Sequence, residues 1–350
     1  IAPDGENCSG RYLLAIADFV NKCRETGIEV IIVSSGSVAA GRSFIDSAQK
    51  PSIAEKQAMA AVGQTKMMAN WARFFDVPCA QILITHDDLR NRNRYVNAKN
   101  TIRELLKNRI IPIVNENDSV AVDELKVGDN DNLAAYIALL TEADTLVICS
   151  DVDGLYDADP RSNPHAEKIE QVSVIDDSIY KLATGTTNAI ATGGMRTKIE
   201  AADKATANGI QTIIVSGHQG EGLRSLLQDK NDGTWFKPQI SRKNAKKKWL
   251  LSTLRSKGKV LVDKGAAKAL TEKGASLLPS GIIAIDGEFF SGDAVDICHD
   301  NIVIAKGLTL YSATDLNKIK GKKSQQIVDT LGFVTSENVV HRDDMALHTQ

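Results

Sequence analysis

The sequence predicts an α/β protein with a mainly parallel sheet, followed by a small domain of short strands. From residue 12 to about residue 216, helical periodicity alternates with short apolar, β-branched runs. This alternation is typical of parallel strands that are joined by helical crossovers and covered on both faces. Beyond residue 258, short strand-like runs are separated by Gly and Pro turns, as in a small β-barrel with one or two helices.

The large domain is predicted as a succession of helices and strands. A helix over 12–25 ends at Gly27, and Ser52 with Glu55 forms a capping box for a long helix toward Phe74. Residues 90–95 are expected to form extended surface, either for subunit contacts or as a mobile flap. Further helices are predicted over 97–108, 131–142 and 195–208, and strands over 29–33, 80–85, 110–114, 145–149 and 211–215.

The composition changes near Trp235, which indicates a domain junction. No acidic residue occurs between Lys237 and Lys259, and five basic residues cluster within 242–248. The predicted boundaries are a first domain over 1–236, a basic linker over 237–248, a second domain over 249–338 and a C-terminal tail over 339–350. Strands of the second domain are predicted over 259–262, 282–285, 294–297 and 302–305.

The overall composition excludes several classes of protein. The chain has 350 residues, of which 43% are hydrophobic, and no apolar run approaches the roughly 20 residues that span a bilayer. The net charge of -2 does not suit a dedicated nucleic-acid binder. Five scattered cysteines without a C-x-x-C pair indicate neither a disulfide framework nor a zinc site. A cytoplasmic protein without membrane contact is expected.

Polar residues follow two strands of the first half of the predicted sheet, where ligands of open parallel sheets bind. Residues 34–37 after the first strand can form an anion site with backbone N–H groups and a hydroxyl, or an ordinary capped turn. Residues 115–118 can offer a carboxylate to an ammonium group and amides to a carboxylate, or form a solvated turn.

Two further segments lie at predicted helix N-termini. Residues 128–132 place two carboxylates and two amides within five residues, and a calcium loop of the EF-hand kind is excluded because Ala134 occupies the position of its glycine. Residues 192–198 combine paired glycines with Lys198 in the first helical turn, which suits a polyphosphate. The alternative there is a flexible loop with a solvated lysine, and Asp151 with Asp153 is expected near the same crevice.

Taken in order, these motifs resemble those of the amino acid kinase family, and in particular its members that act on glutamate. The resemblance covers nearly the whole chain, and the C-terminal part is similar to a PUA domain. It therefore implies a three-layer αβα amino acid kinase fold followed by a small PUA domain. The motifs are found at 33–42, 114–118, 126–133, 157–161 and 192–198, and those of the PUA domain at 262–266, 275–282, 292–293 and 340–345.

The resemblance also implies a role for each motif residue. Asp131 would orient the catalytic lysines, and Lys198 would neutralise the transferring phosphoryl group. Glutamate would be held by Ser35, Asp118 and Asn130, with Gly36 and Asp129 as further contacts. ATP would be held by Ser150, Asp151, Thr192, Gly193, Gly194, Met195, Arg196, Thr197 and Lys198. Mg²⁺ would bridge the phosphates, without direct ligation by a side chain.

The reaction implied is ATP-dependent phosphorylation of the side-chain carboxylate of L-glutamate, the first step of proline biosynthesis. The resemblance further implies feedback inhibition by proline, and a homo-oligomer, dimer or tetramer, is expected. The side-chain carboxyl group of glutamate has an ordinary pKa of about 4.3 and is ionised at neutral pH, so the nucleophile needs no general base. Positioning and charge neutralisation are then the main tasks. No catalytic histidine is therefore predicted.

One departure from the family concerns the N-terminus. Family members begin with a strand that ends in a Lys-x-Gly-Ser/Thr pattern, and residues 1–9 contain nothing equivalent. We expect that this strand is missing from the sequence; the alternative is a chain that binds its ligands but turns over poorly.

Two alternative functions stay open. One is a related kinase that acts on aspartate, acetylglutamate, carbamate or UMP, because spacing alone does not set the length of the substrate side chain. The other is an RNA-associated protein, since PUA domains often bind RNA and the basic residues over 242–248 could contact phosphates. That basic stretch is also explained by a solvated junction, because few aromatic residues accompany it.

Overall fold

A computed structural model describes residues 9–46, 51–121, 130–160, 162–183, 194–218, 220–228, 230–241 and 255–348. The chain divides into two compact units, one over Ile1–Ile240 and the other over Ser241–Gln350. None of the helices in the described ranges is long and apolar enough to cross a membrane.

The first unit alternates helices and strands, as predicted. Its strands are β1 Ile32–Val33, β2 Cys79–Ile84, β3 Ile111–Glu116, β4 Thr145–Ser150, β5 Leu155–Tyr156, β6 Lys168–Ile169, β7 Gln171–Val172, β8 Gln211–Ser216 and β9 Thr234–Phe236. Its helices are α1 Leu14–Glu25, α2 Ser37–Gly41, α3 Ile53–Ala72, α4 His86–Arg90, α5 Arg92–Lys107, α6 Asn130–Thr141, α7 Asp177–Leu182, α8 Met195–Ala207 and α9 Gly220–Leu226.

The strands of the first unit form a mainly parallel arrangement. β1 and β2 both pair with β3 in parallel, and β4 pairs with β8 in parallel. β9 is antiparallel to β8, and β7 is parallel to β9. The α/β fold predicted from the sequence is therefore confirmed. A cavity of about 1260 Å³ is lined by residues of both β1 and β4.

Local sequence signals account for several element boundaries. The Ser52 side chain accepts a hydrogen bond from the backbone of Glu55, whose side chain accepts one from the backbone of Ser52. This confirms the predicted capping box at the start of α3. Gly27 ends α1 with φ +84°, a left-handed conformation that glycine adopts without steric cost.

Residues 90–95 are mostly helical, and their expected role in subunit contacts or as a mobile flap stays a prediction. Thr85 and Asp88 form a capping box that starts α4, and the Asn91 side chain accepts a hydrogen bond from the backbone of Arg94. A second cap therefore starts α5 at Arg92, earlier than the helix predicted from residue 97. The predicted strand over 29–33 is also shorter, since only Ile32–Val33 is paired.

The second unit is built on one five-stranded sheet. Its strands are β10 Gly258–Val262, β11 Ile282–Gly287, β12 Ala294–His299, β13 Ile302–Leu308 and β14 Met345–Leu347, in the order β11-β10-β12-β13-β14. Its helices are α10 Lys264–Lys273, α11 Ala313–Ile319 and α12 Ile327–Leu331. β10 and β12 are parallel, and the other neighbours are antiparallel. The predicted small domain of short strands is confirmed.

The segment predicted as a tail from residue 339 is part of this second unit. β14 pairs with β13, and Val339 and Val340 are fully buried. Burial of these two apolar side chains, together with the strand pairing, holds the segment against the sheet. Most of the predicted linker over 237–248 lies outside the described residues.

Candidate active site

The candidate site lies at the carboxyl ends of β1, β3 and β4. The turn after β1 is joined to β3 by a hydrogen bond from the backbone N of Ser34 to the carbonyl oxygen of Val114, at 2.9 Å. Asp118 follows β3 by two residues, and Ser150 is the last residue of β4. Residues from all three strand ends are therefore drawn toward one edge, as expected for an open parallel sheet.

The Ser34–Gly36 turn leads directly into the short helix α2. Gly36 has φ +101°, a left-handed conformation that disfavours a side chain. The Ser37 hydroxyl then donates a hydrogen bond to Oδ2 of Asp118 at 2.7 Å, across 81 residues of sequence. Ser35, by contrast, has an exposed side chain that lines the cavity. The turn that contains Ser35 and Gly36 therefore lies close to Asp118, which Ser37 contacts directly.

The carboxyl group of Asp118 is partly buried. Burial raises its pKa above the ordinary value, and the hydrogen bond from Ser37 acts in the opposite direction. A buried carboxylate with this raised pKa is well placed to be stabilised by a cation such as an ammonium group.

Asn130, the first residue of α6, is held by two hydrogen bonds from its Nδ2. One goes to the carbonyl oxygen of Ser34 at 2.6 Å, and the other to Oδ1 of Asn115 at 2.9 Å. Asn115 in turn donates from Nδ2 to Oε1 of Gln64 at 2.9 Å. The predicted substrate residue Asn130 therefore lies beside the Ser34–Gly36 turn.

Helix α3 supports this half of the site through close backbone contact. A Cβ atom built on Gly63 would lie 1.8 Å from the carbonyl oxygen of Ser37, and one on Gly41 would lie 1.9 Å from that of Met59. Any side chain at these two positions would push α2 away from α3. The indole of Trp71 also donates to the hydroxyl of Ser34 at 3.0 Å.

The first turn of α8 forms the second half of the site. The Thr197 hydroxyl donates to Oδ2 of Asp131 at 2.7 Å, and Nζ of Lys198 lies 3.0 Å from the same oxygen. Lys198 is buried, with 8% of its surface exposed. A buried lysine in a first turn opposes the helix dipole, and the Asp131 carboxylate offsets that cost.

Among the described residues, no side chain caps the N-terminus of α8. Gly194 is the N-cap residue, with φ -70° and ψ 173°. A Cβ atom built on Gly194 would meet no heavy atom of the described chain within 4 Å. Backbone N–H groups at such a helix end suit an anionic group.

Other predicted nucleotide residues are spread around this turn. Met195 packs against the core that includes Ile199, whereas the largely exposed guanidinium of Arg196 pairs with Glu200 of its own helix, Nε to Oε1 at 3.1 Å. The Ser150 hydroxyl donates to Oδ1 of Asp151 at 3.2 Å, at the end of β4. Arg196 is therefore held along α8 in this arrangement.

Lys198 also lies near β4. The Cys149 side chain lines the cavity, where it is accessible but surrounded by protein. These surroundings desolvate the thiol and raise its pKa to about 11. The positive charge of Lys198 acts in the opposite direction on that pKa. The α8 turn and the Ser150–Asp151 turn are thus neighbours.

A third polar group extends the nucleotide side beyond β4. Asp153 accepts from the Tyr156 hydroxyl at 2.8 Å and from Nζ of Lys168 at 3.1 Å. Burial and the Asp153 carboxylate raise the pKa of Tyr156 to about 12. Asp153 could be named from the sequence, but Tyr156 and Lys168 could not, since the pairing of β5 with β6 is a non-local contact.

The cavity between β1 and β4 borders the candidate site. Six of the residues that line it are candidate site residues or adjoin them, namely Ser34, Ser35, Asn130, Asp131, Ser150 and Asp151. Asn130 contacts the Ser34–Gly36 turn, and the adjacent Asp131 contacts Thr197 and Lys198. Asp129, Thr192 and Gly193, which were also predicted in the site, lie outside the described residues.

Two contributors were not singled out from the sequence. Ser37 was part of a predicted turn without a role of its own, and Gln64 was not named. Gln64 is a polar residue on the buried side of α3, between Ala60 and Met67, and only 6% of its surface is exposed. A polar residue on an otherwise apolar helix face is the signal that could have found it.

Comparison with known proteins agrees with this geometry. The amino acid kinase family matches residues 1–216, and the PUA domain matches residues 258–331. The glutamate 5-kinase of Idiomarina loihiensis is 54% identical, over 99% of this chain and 94% of that protein. The glutamate 5-kinase of Salinibacter ruber is 52% identical over the same shares of the two chains.

A solved structure is similar at a lower level. The carbamate kinase from Giardia lamblia bound to AMP-PNP aligns with 65% of this chain and 90% of its own, at 18% identity and a TM-score of 0.47. From the matched domains and the nearly full-length relatives together, we conclude that this chain belongs to the amino acid kinase family, among its glutamate 5-kinases.

Proposed function

We propose that this protein transfers the γ-phosphoryl group of ATP to the side-chain carboxylate of L-glutamate and forms L-glutamyl 5-phosphate. One observation supports this most directly. The adjacent residues Asn130 and Asp131 link the turn after β1 to the first turn of α8. An amino acid held on the Asn130 side would face a nucleotide held on the Asp131 side.

The glutamate half of the site has the groups that an amino acid requires. The carboxylate of Asp118 can pair with the substrate ammonium group, and that pairing would offset the cost of burying Asp118. The exposed Ser35 hydroxyl, at the cavity wall, can donate to a substrate carboxylate. Asp129 and Gly36 are proposed as further contacts.

The nucleotide half favours a polyphosphate. The uncapped N-terminus of α8 offers backbone N–H groups, and the side chain of Lys198 supplies a positive charge. Asp131 fixes the Lys198 ammonium through a single oxygen at 3.0 Å. Lys198 is therefore proposed to stabilise the charge on the transferring phosphoryl group, with Asp131 orienting it. Ser150, Asp151 and residues 192–197 are proposed to hold the rest of ATP.

Mg²⁺ is proposed to enter the site on the phosphates of ATP. Within the described ranges, no group of three or more His, Cys, Asp or Glu is arranged to hold a metal ion. Mg²⁺ needs no such cage, because one or two carboxylates and substrate phosphates suffice. The carboxylates of Asp131 and Asp151 would attract the ion electrostatically without ligating it directly, and when bound it would neutralise phosphate charge.

The chemistry proposed for this site requires no general base. The γ-carboxylate of glutamate is already ionised at neutral pH, so it attacks without losing a proton. The residues of the chain then have three tasks: to orient the carboxylate, to hold the phosphates, and to neutralise charge as the phosphoryl group moves.

Trapping of an acyl phosphate by hydroxylamine tests this function. ATP consumption and hydroxamate formation should both depend on L-glutamate, and aspartate or acetylglutamate should support much less of either. Preference for one of the latter substrates would instead assign a related kinase. Salt-sensitive RNA binding without turnover would favour a role through the PUA domain.

We propose further that proline restrains the enzyme at the glutamate site, since proline shares the α-carboxylate and ammonium groups of glutamate. Inhibition that is competitive with glutamate and not with ATP is expected. A homo-oligomer, dimer or tetramer, is also proposed, and light scattering of the purified chain would determine its state.

A further inference from the structure

Gln64 lies beneath the glutamate half of the site, on the buried side of α3. Only 6% of its surface is exposed, and its Oε1 accepts a hydrogen bond from Nδ2 of Asn115 at 2.9 Å. Within the described part of the chain, its buried Nε2 has no hydrogen-bond partner. A buried donor without a partner loses its hydration without compensation, so Gln64 is a poor choice for stability alone.

The three amides of Gln64, Asn115 and Asn130 form a hydrogen-bonded chain, and its Asn130 end is anchored on the carbonyl oxygen of Ser34. Because Oε1 of Gln64 faces Nδ2 of Asn115, the Oδ1 of Asn115 is turned toward Asn130. That Oδ1 accepts from Nδ2 of Asn130 at 2.9 Å. If Asn115 were flipped, its NH₂ group would face the NH₂ group of Asn130, which the Ser34 carbonyl oxygen holds in place.

The orientation of Asn130 decides what it can bind. An amide NH₂ group has two hydrogens, and those of Asn130 go to Oδ1 of Asn115 and to the carbonyl oxygen of Ser34. Its remaining capacity is the acceptor Oδ1. Asn130 therefore presents an acceptor, which suits an ammonium group and not a carboxylate.

We propose that Gln64 is a positioning residue for substrate recognition: it holds the Asn115 amide in place, so that the oxygens of Asn115 and Ser34 together make Asn130 present its own oxygen to the ammonium group of the substrate. This inference rests on the proposed function, since it takes an amino acid as the ligand of the site. Gln64 acts through two other side chains.

Gln64→Met removes the acceptor for Asn115 while keeping a flexible side chain of similar length. We expect the KM for glutamate to rise about 10-fold or more, the loss associated with one hydrogen bond to a charged group, with kcat within about 2-fold. The KM for ATP should not change. Glutarate, which lacks the ammonium group, should keep its wild-type KM, so the preference for glutamate over glutarate should fall about 10-fold.

A second variant distinguishes positioning from a general structural effect. Asn115→Asp keeps an acceptor for Asn130 but has no hydrogen to donate to Oε1 of Gln64, so the contact through which Gln64 acts is absent in this background. In the Asn115→Asp background, Gln64→Met should therefore leave the glutamate-to-glutarate preference unchanged, and a double-mutant cycle measures this coupling. The free energy of unfolding of each variant serves as the control for folding.

The outcomes are distinct. Equal increases in KM for glutamate and glutarate, or the same effect of Gln64→Met in both backgrounds, would overturn the role of Gln64. If the wild-type protein does not phosphorylate glutamate at all, the proposed function itself fails. In that case, binding of glutamate and glutarate to the wild-type and variant proteins, measured by calorimetry, still tests the amide chain.

Discussion

Nζ of Lys198 lies 3.0 Å from Oδ2 of Asp131, so the first turns of α8 and α6 are joined by an ion pair between side chains 67 residues apart. Both side chains are largely buried, with 10% of the side-chain surface exposed for Lys198 and 16% for Asp131. Breaking a buried pair by removing one partner leaves an uncompensated charge. The pair therefore links the geometry of the site to its electrostatics.

Lys198→Ala is expected to lower kcat by about 100-fold to 1000-fold, the typical loss of one charge-stabilising donor. The KM for glutamate should change little, because Lys198 is proposed to belong to the nucleotide half of the site. Steady-state kinetics with both substrates varied would measure this. Lys204→Met, in the same helix, removes a lysine that contacts Asn132 and serves as the matched control with near wild-type kcat. An unchanged rate in Lys198→Ala would exclude Lys198 from the mechanism.

Gly194→Ala is expected to weaken ATP binding without affecting the fold. The backbone of Gly194 is extended, and a Cβ there would meet no atom of the described chain within 4 Å. A methyl group would instead occupy the space beside the N-terminus of α8 where a phosphate is proposed to bind. The KM for ATP should rise about 10-fold or more, as for the loss of a charge-assisted hydrogen bond.

The control for that variant is the melting temperature, which should stay close to the wild-type value. The KM for glutamate should also be unchanged. An unaltered KM for ATP would show that phosphate does not approach Gly194.

Asp118→Asn should stabilise the protein without ligand at neutral pH and weaken glutamate binding. Burial raises the pKa of Asp118, so its native state favours the protonated form. The Asp118 carboxyl group has a pKa of 3.8 in the unfolded chain and a higher pKa in the folded protein. Its contribution to the stability of the folded state is therefore complete below pH 3.8 and is lost as the pH rises through the folded-state pKa. Chemical unfolding at several pH values would therefore show a gain for the asparagine variant at pH 7 that disappears in acid.

The same variant should raise the KM for glutamate about 10-fold or more, because it removes a carboxylate proposed to pair with the ammonium group. Its KM for ATP should stay constant. A variant that is less stable at pH 7 and binds glutamate normally would contradict both expectations.

Asp88→Asn should destabilise the start of α4 by about 1 kcal/mol at pH 7. Burial alone would raise the pKa of Asp88, but hydrogen bonds from Thr85 and an ion pair with Arg94 outweigh it and lower the pKa. Because the pKa of Asp88 is lower in the folded protein than its value of 3.8 in the unfolded chain, the ionised carboxylate stabilises the folded state above pH 3.8. This stabilisation is lost as the pH falls through the folded-state pKa. The difference between the two proteins should therefore shrink in acid, as followed by denaturant unfolding.

Asp88 lies outside the candidate site, so kcat and both KM values should be unaffected. A pH-independent difference in stability would assign the effect to packing and not to the carboxylate.

The parts of the molecule that the sequence predicts well depend on local signals. The Ser52–Glu55 capping box, the ends of α1 and α8, and the strand-end position of the Asn115–Asp118 cluster follow from neighbouring residues. Strands and caps of this kind are encoded within a few positions of the chain. The sheet edge at which the site forms could thus be predicted.

Contacts across long sequence separations could not be predicted. Ser37 and Asp118 are 81 residues apart, and Gln64 and Asn115 are 51 apart. Which hydroxyl meets which carboxylate depends on tertiary packing, and amide orientation depends on the complete hydrogen-bond network. The start of α5 at Arg92 was missed for a different reason, since a second N-cap follows α4 immediately.

Where α2 approaches α3 closely, two adjacent residues of α3, Gly63 and Gln64, contact different parts of the candidate site. The backbone of Gly63 supports Ser37, which holds Asp118, and the side chain of the next residue, Gln64, reaches Asn130 through Asn115. A small translation of α3 would therefore displace both proposed ammonium-binding groups together. Affinity for the amino acid could then be tuned from the outer surface of this one helix while the nucleotide side stays as it is.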